Sequence, residues 1–265
     1  MDPVEERLES ARAQLISDLR EHALVIGRVT LSSGAEAEYY VDARRALMRP
    51  TGFRAAGELI ATVALPPQVP RAVDADFAGL VLLADGGQVR DASAGAAHQS
   101  VDPSRKLFDV DATGSGRPAD VARAYEFGVL ATAAQLVGAA QAMLDLSVEY
   151  AKQRHQFGRP IGSYQAIKHK LADVHIAIEL ARPLVYGAAL SLADGSPDTA
   201  RDVSAAKVAA GDAALQAARS SLQTHGAIGF TAEHDLSLWL LRVQALRTAW
   251  GDPVTHRRRV LEGLS

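Results

Sequence analysis

The chain is predicted to be a mainly α protein, an up-down four-helix bundle preceded by a small mixed α/β segment. Three observations predict it. Residues 118–265 read as helix almost throughout, with alanine dominating the helix faces. Apolar residues there recur at helical spacing, and Gly/Pro breakers cut the stretch into helices joined by short loops, which favour antiparallel neighbours. Residues 1–117, by contrast, mix short β-like runs with turn residues.

At the amino terminus, Leu8, Ala11, Leu15, Ile16 and Leu19 share one face of a helix predicted over residues 5–22. The chain then turns through Gly27 into two short strands, VTLSSG and AEYYVDARR, which closes a first region of residues 1–60. Residues 61–117 are expected to form a partial β segment and linker, with an apolar run Gly79–Leu83, a turn at Asp85-Gly86-Gly87 and a Gly/Ser/Pro-rich exit at 113–118. The third region, residues 118–265, is the bundle. Its first helix is predicted over 119–155 and ends in QFGRPIG; a second runs over 163–193, with Ser163 as N-cap and Ile167, Leu171, Val174 and Ile178 as its apolar stripe. A third covers 199–224, a fourth 232–249, and a basic helix follows Gly251-Asp252-Pro253. Alanine-rich faces let helix axes approach closely and suit packing against another copy, so an oligomer is expected.

The 265 residues carry 28 Lys and Arg against 31 Asp and Glu, a near balance that gives no global attraction to nucleic acid or acidic lipid. Arg257, Arg258 and Arg259 read as a solvated helix face, since no aromatic residues interleave with them. The absence of cysteine removes disulfides, thiolate metal sites and cysteine nucleophiles, and fits a cytoplasmic protein. The uncharged stretch Phe127–Leu144 is short for a membrane span and reads as a buried helix. His169 and His175 are six apart, which is wrong for one helical face, so no metal site is expected.

Two motifs carry the chemistry. The first is Arg154-His155-Gln156-Phe157-Gly158-Arg159-Pro160-Ile161-Gly162-Ser163-Tyr164-Gln165-Ala166, followed by Leu171-Ala172-Asp173; the second is Gln223-Thr224-His225-Gly226-Ala227-Ile228-Gly229-Phe230, then Arg242. In order and with a helical span between them, they resemble the signatures of acyl-CoA dehydrogenases. Val137-Gly138-Ala139-Ala140-Gln141 is similar to that family's first bundle helix, and Ser100-Val101-Asp102-Pro103-Ser104-Arg105 to the close of its middle β domain. The resemblance covers residues 62–265 and implies an acyl-CoA dehydrogenase-like bundle in an FAD flavoprotein of fatty acid or sterol side-chain degradation. It would perform α,β-dehydrogenation of an acyl-CoA thioester, with FAD as hydride acceptor, in a homo- or hetero-oligomer. By the same resemblance, Arg154, Gln156 and Phe157 touch the adenine dinucleotide portion of a flavin held largely by a neighbouring subunit, and Gln223, Gly226 and Gly229 line the opposing part. A guanidinium offers a pyrophosphate bidentate geometry that lysine lacks. Taken singly, Arg154 reads equally as a solvated helix-end charge and Gly226 as a C-cap.

Family members need a carboxylate to abstract the proton next to the thioester carbonyl. The two aligned positions hold Gly251 and Gly128, and Ala227 replaces a glycine of the second motif. The nearest carboxylates, Asp252 and Glu126, read better as an N-cap and a surface-helix residue. The resemblance therefore implies, as an alternative, a catalytically silent assembly subunit lacking the base. Residues 1–60 resemble something else: Leu19-Arg20-Glu21-His22, Val29-Thr30-Leu31-Ser32-Ser33-Gly34 and Tyr39-Tyr40-Val41-Asp42 look like the opening of an orotate phosphoribosyltransferase. The phosphate loop such an enzyme needs has only Phe108–Gly116 as a candidate here.

Overall fold

In the computed structural model, residues 3–30, 36–41, 60–231 and 234–264 are described. The chain divides into two compact units. One comprises residues 1–64, 70–98 and 106–118; the other comprises 65–69, 99–105 and 119–265.

In the first unit, α1 spans Pro3–Asp18 and continues as a π-helical turn, Leu19–Ala23, so the stretch predicted as helix over 5–22 is helical throughout, with its last turn more loosely wound. Strands β1 (Leu24–Thr30) and β2 (Glu36–Val41) pair antiparallel. Leu31–Gly34 and Asp42, which carry much of the phosphoribosyltransferase resemblance, lie outside the described residues. Residues 61–118 form more than the expected partial segment: β3 (Ala61–Ala64), β4 (Ala72–Val73), β5 (Leu80–Asp85), β6 (Gln88–His98), β7 (Leu107–Ala112) and β8 (Arg117–Pro118) make one sheet. Its order is β3-β5-β6-β7-β4, with β8 also on β6 and only β3 and β5 parallel. The predicted turn is the β5–β6 hairpin, whose Gly86 and Gly87 have φ of 56° and 76°, the left-handed values a two-residue turn of this hand requires. Phe108, in the phosphate-loop candidate, is a strand residue buried with Ala72 and Ala75. Residues 108–112 of that candidate are thus strand, and 111–116 are exposed.

The second unit is the bundle. Helix α2 spans Val121–Gln153, α3 Gln165–Asp194, α4 Thr199–His225, α5 Leu236–Thr248 and α6 Pro253–Glu262. On α2, Val129, Ala133, Leu136, Ala140, Met143, Ser147 and Ala151 are buried at the three-and-four spacing of one helical face. They meet Ala206, Ala210, Ala214 and Ala217 of α4, small side chains that permit a close helix approach. Ser221 Oγ on α4 donates to the Met143 carbonyl of α2 at 3.1 Å, a cross-helix bond that shares this carbonyl with Ser147 Oγ at 2.8 Å. Two sequence expectations change at helix starts. Ser163 belongs to a 3₁₀ turn, Ile161–Ser163, and Tyr164 occupies the cap position of α3 without a side-chain cap bond. The fourth helix begins at Leu236 rather than 232, because a 3₁₀ turn, Gly226–Phe230, intervenes after α4. Helices α2 and α3 are long and apolar enough to cross a membrane by length and composition alone; half of the apolar window of α2 is buried inside the bundle.

Candidate functional site

Two loops at the ends of α2 and α4 build the first part of the site. Arg154 ends α2 in extended conformation (φ −76°, ψ 121°), with its N–H bonded to the Tyr150 carbonyl. Beyond it β9 (His155–Gln156) and β10 (Arg159–Pro160) pair across Phe157 and Gly158, whose φ values are 52° and 81°. A phenylalanine in left-handed backbone is disfavoured by roughly 1–2 kcal/mol, so the surrounding loop must hold it. It does so through three contacts: the Ile161 N–H donates to the Arg154 carbonyl at 2.8 Å, Tyr164 Oη to the Gln156 carbonyl at 3.2 Å, and the Arg159 guanidinium lies 4.0 Å from the Tyr164 ring centroid. The result is a rigid hairpin tip with the Phe157 ring 93% exposed. On the other loop, α4 ends at Gly226, whose φ of 68° and ψ of −142° suit glycine far better than other residues.

Between the loops lies a cavity of about 470 Å³. Arg154, Gln156, Phe157, Gln223 and Gly226 all line it. Gly229, the sixth predicted residue, is buried within its turn, where a Cβ would meet His225 Cβ at 3.1 Å and Leu222 and Leu236 methyls at 3.2 Å. Lys170 Nζ donates to Gln223 Oε1 at 2.6 Å, leaving the amide nitrogen available as a donor. Sequence reasoning missed Tyr150, Tyr164 and His225 in the same wall. Position could have found two of them: Tyr150 stands one helical turn before Arg154, and His225 directly precedes Gly226. Its burial comes from stacking on Tyr150 at 4.4 Å and edge contact with His234 at 4.8 Å. His225 Nδ1 lies 2.8 Å from the Ser221 carbonyl and so carries the proton; Nε2 is then a buried acceptor without a partner among the described residues. Burial first, then His234, holds this imidazole below the usual histidine range, so the neutral form persists.

The α5–α6 junction holds one aligned carboxylate position, Gly251, and packs through Trp250 on the other, Gly128 of α2. Trp250 and Gly251 both have positive φ, 59° and 98°. A side chain at Gly251 would meet His256 Nε2 and Tyr125 Oη, each 2.7 Å from its Cβ. At Gly128 a Cβ would overlap the six-membered ring of Trp250. The junction is pinned from several sides. Tyr125 Oη (2.9 Å) and His256 Nε2 (2.8 Å) donate to the Trp250 carbonyl, and buried Lys207 Nζ donates to the carbonyls of Leu246 and Arg247 at 2.9 and 3.2 Å. Asp252 is the N-cap of α6, accepting from the Thr255 N–H at 2.7 Å, and that bond holds its carboxyl below the usual range. Glu126 departs from the surface-helix expectation: it is 9% exposed and paired with Arg259, which reaches it from α6. Asp252 thus serves as a helix cap and Glu126 as an ion-pair partner in this structure.

A second, larger cavity of about 820 Å³ is lined by residues including Gln135, Gly138, Trp239 and Arg242. Arg242 Nε pairs with buried Asp102 at 2.5 Å and its Nη2 donates to Ser104 Oγ at 2.7 Å, which ties the last arginine of the second motif to the Ser100–Arg105 motif. Burial alone would raise the Asp102 carboxyl; bonds from Ser104 and the guanidinium more than offset it and hold it low.

The geometry is that of an Ala-rich helical bundle with two loops lining a shared cavity, and comparison with known proteins gives its family. The acyl-CoA dehydrogenase C-terminal domain matches residues 120–265. The chain belongs to the acyl-CoA dehydrogenase family, whose members are FAD flavoproteins. It is 35% identical over 208 residues to acyl-CoA dehydrogenase IpdE2 of Mycobacterium tuberculosis, covering 78% of this chain and 63% of that one. Among solved structures, butyryl-CoA dehydrogenase from Megasphaera elsdenii superposes with a TM-score of 0.66 at 23% identity, over 79% of this chain and 64% of that one. The ChsE4-ChsE5 complex from Mycobacterium tuberculosis gives 0.65 at 22% identity, over 82% and 70%. The chain thus spans under two thirds of the length of the curated relatives it matches.

Proposed function

We propose that this chain is an acyl-CoA dehydrogenase-type subunit that supplies the adenine-dinucleotide half of an FAD site shared with a neighbouring subunit, and that the carboxylate for α-proton abstraction comes from another chain. The reading is carried by one observation: five of the six residues expected at the dinucleotide line a single cavity, while both carboxylate positions are glycines that cannot accept a side chain without rebuilding the α5–α6 junction. The donor set fits the group. Arg154 has no ion pair among the described residues and can meet a pyrophosphate in bidentate fashion; the Gln223 amide and the backbone at Gly226 offer further donors. His225 Nε2 is buried without a partner among the described residues; a ring shift on binding would let it accept from a ribose hydroxyl or an exocyclic amine. When bound, the flavin supplies hydride acceptance in the α,β-dehydrogenation of an acyl-CoA thioester.

Arg154→Gln is expected to weaken flavin binding by about 10- to 100-fold, as loss of a charge-assisted bidentate contact does. Titration of the assembled protein with FAD, followed by flavin fluorescence, measures it; unchanged affinity would remove the reading. His225→Phe keeps the stack on Tyr150 but removes the acceptor, and a drop of about 10-fold is expected in the same titration. A second reading, a catalytically silent assembly subunit, is favoured by the structural engagement of Asp252 and Glu126. It predicts a colourless protein that stays colourless when a carboxylate-bearing relative is added, whereas the shared-site reading predicts flavin uptake and acyl-CoA-dependent dye reduction only in the mixture.

A further inference from the structure

Gln223 lines the Arg154 cavity, and what it offers there depends on which way its carboxamide is turned. The two ends of that group have nearly the same shape and opposite polarity, so its neighbours decide the orientation. Turned one way, it shows an anion two N–H donors; turned the other, it shows a carbonyl oxygen whose lone pairs repel the anion. Lys170 makes the choice. Its Nζ donates to Gln223 Oε1 at 2.6 Å, a bond from α3 to α4 between residues 53 apart in sequence. An ammonium has donors and no acceptor, so this bond forms only with the oxygen end, and the nitrogen end is the one left for a ligand. The helix fixes where Lys170 stands, one turn beyond Ile167, which lines the same cavity together with Tyr164.

We propose that Lys170 is a positioning residue for the dinucleotide, holding the Gln223 carboxamide with its N–H donors available to the pyrophosphate that Arg154 pairs with. The inference rests on the shared-site reading above. The two cations act differently: the guanidinium supplies charge directly, whereas Lys170 acts on a neutral amide. Its bond to Oε1 removes the two-fold choice of orientation before the ligand arrives, and it polarises the amide so that the N–H groups donate more strongly. Lys170 falls in the gap of the first motif, between Ala166 and Leu171, and nothing in its own helix shows the role, since its partner comes from α4.

FAD titration of the assembled protein, followed by flavin fluorescence, reads this without turnover. Lys170→Met is expected to weaken binding by about 5- to 20-fold, because the amide is then free to turn and loses the polarising bond. Lys170→Arg, which also only donates, should stay within about 3-fold of the parent protein. Lys170→Glu separates orientation from bracing. A carboxylate still ties α3 to Gln223 but accepts from its nitrogen, so the oxygen is the end left over, and a loss of about 50-fold or more is expected. In a Gln223→Leu background there is no amide to turn: Lys170→Met should then cost less than about 2-fold, and Lys170→Glu only the smaller penalty of its charge. Equal losses in the two backgrounds, or unchanged affinity for both Lys170→Met and Lys170→Glu, would overturn the proposal. In that second case Arg154→Gln tells the two readings apart. If it weakens binding, the shared site stands without Lys170; if it does not, both fall.

Discussion

Gly128→Ala is expected to destabilise the bundle by about 2–4 kcal/mol, at the upper end of what one added carbon costs in a packed interior. The added Cβ overlaps Trp250 Cε3, Cζ3 and Cδ2, and these are rigid ring atoms rather than the tip of a flexible chain. Trp250 cannot simply swing aside: its backbone sits at φ 59° and its carbonyl is held by Tyr125 and His256. Because one contact carries the penalty, Trp250→Ala should suppress it, and the double variant should be less destabilised than the sum of the singles. Urea unfolding of the four proteins measures the coupling; additive losses would mean that the ring does not exclude a side chain at 128. The same reasoning bears on function. Placing a glutamate at Gly128 or Gly251 should fail to create dehydrogenase activity in this chain, since each disrupts the junction that would have to present it.

Acidification should unfold the protein through His256. The imidazole is fully buried, donating from Nε2 to the Trp250 carbonyl and facing Ser204 Oγ with Nδ1 at 3.2 Å. Burial, opposed by the Trp250 carbonyl and reinforced by Lys207 and Arg259, pulls it from 6.5 to about 4; Asp252 acts weakly the other way. Between those two values the unfolded chain binds the extra proton, so stability rises with pH across that window. The contribution is fully present above about 6.5 and is lost as pH falls to about 4, an amount of about 3 kcal/mol. His256→Gln should therefore be less stable at neutral pH yet flatter across that window, as read from urea midpoints at several pH values. An unchanged slope would assign the acid lability elsewhere. Lys207 acts in a separate window: burial lowers it from 10.5 to about 8, so its effect on stability falls between those values.

The helices and the two loops that line the Arg154 cavity were legible for a local reason. Arg154-to-Tyr164 and Gln223-to-Phe230 are contiguous stretches whose turn chemistry is set by their own residues, and the helical stripe of α2 repeats without interruption from Val129 to Ala151. Glu126 was misread for the opposite reason. Its neighbours on α2 are compatible with an exposed position, and only α6, which begins 127 residues later, covers it with Arg259. Of the sheet in residues 61–118, the β5–β6 hairpin could be read from its apolar run and glycine turn, whereas pairings such as β4 with β7 join stretches far apart in sequence, which no single run reveals.

Primary structure by itself determined the family, the bundle and the absence of a carboxylate at both expected positions, since these rest on residue identity and periodicity. Tertiary structure alone decided that those two glycines are enforced, that His225 Nε2 is buried without a partner among the described residues, and that α3 leaves apolar residues exposed. Each of these depends on which distant side chains come within van der Waals or hydrogen-bond reach, and such proximity is created by packing rather than by local sequence.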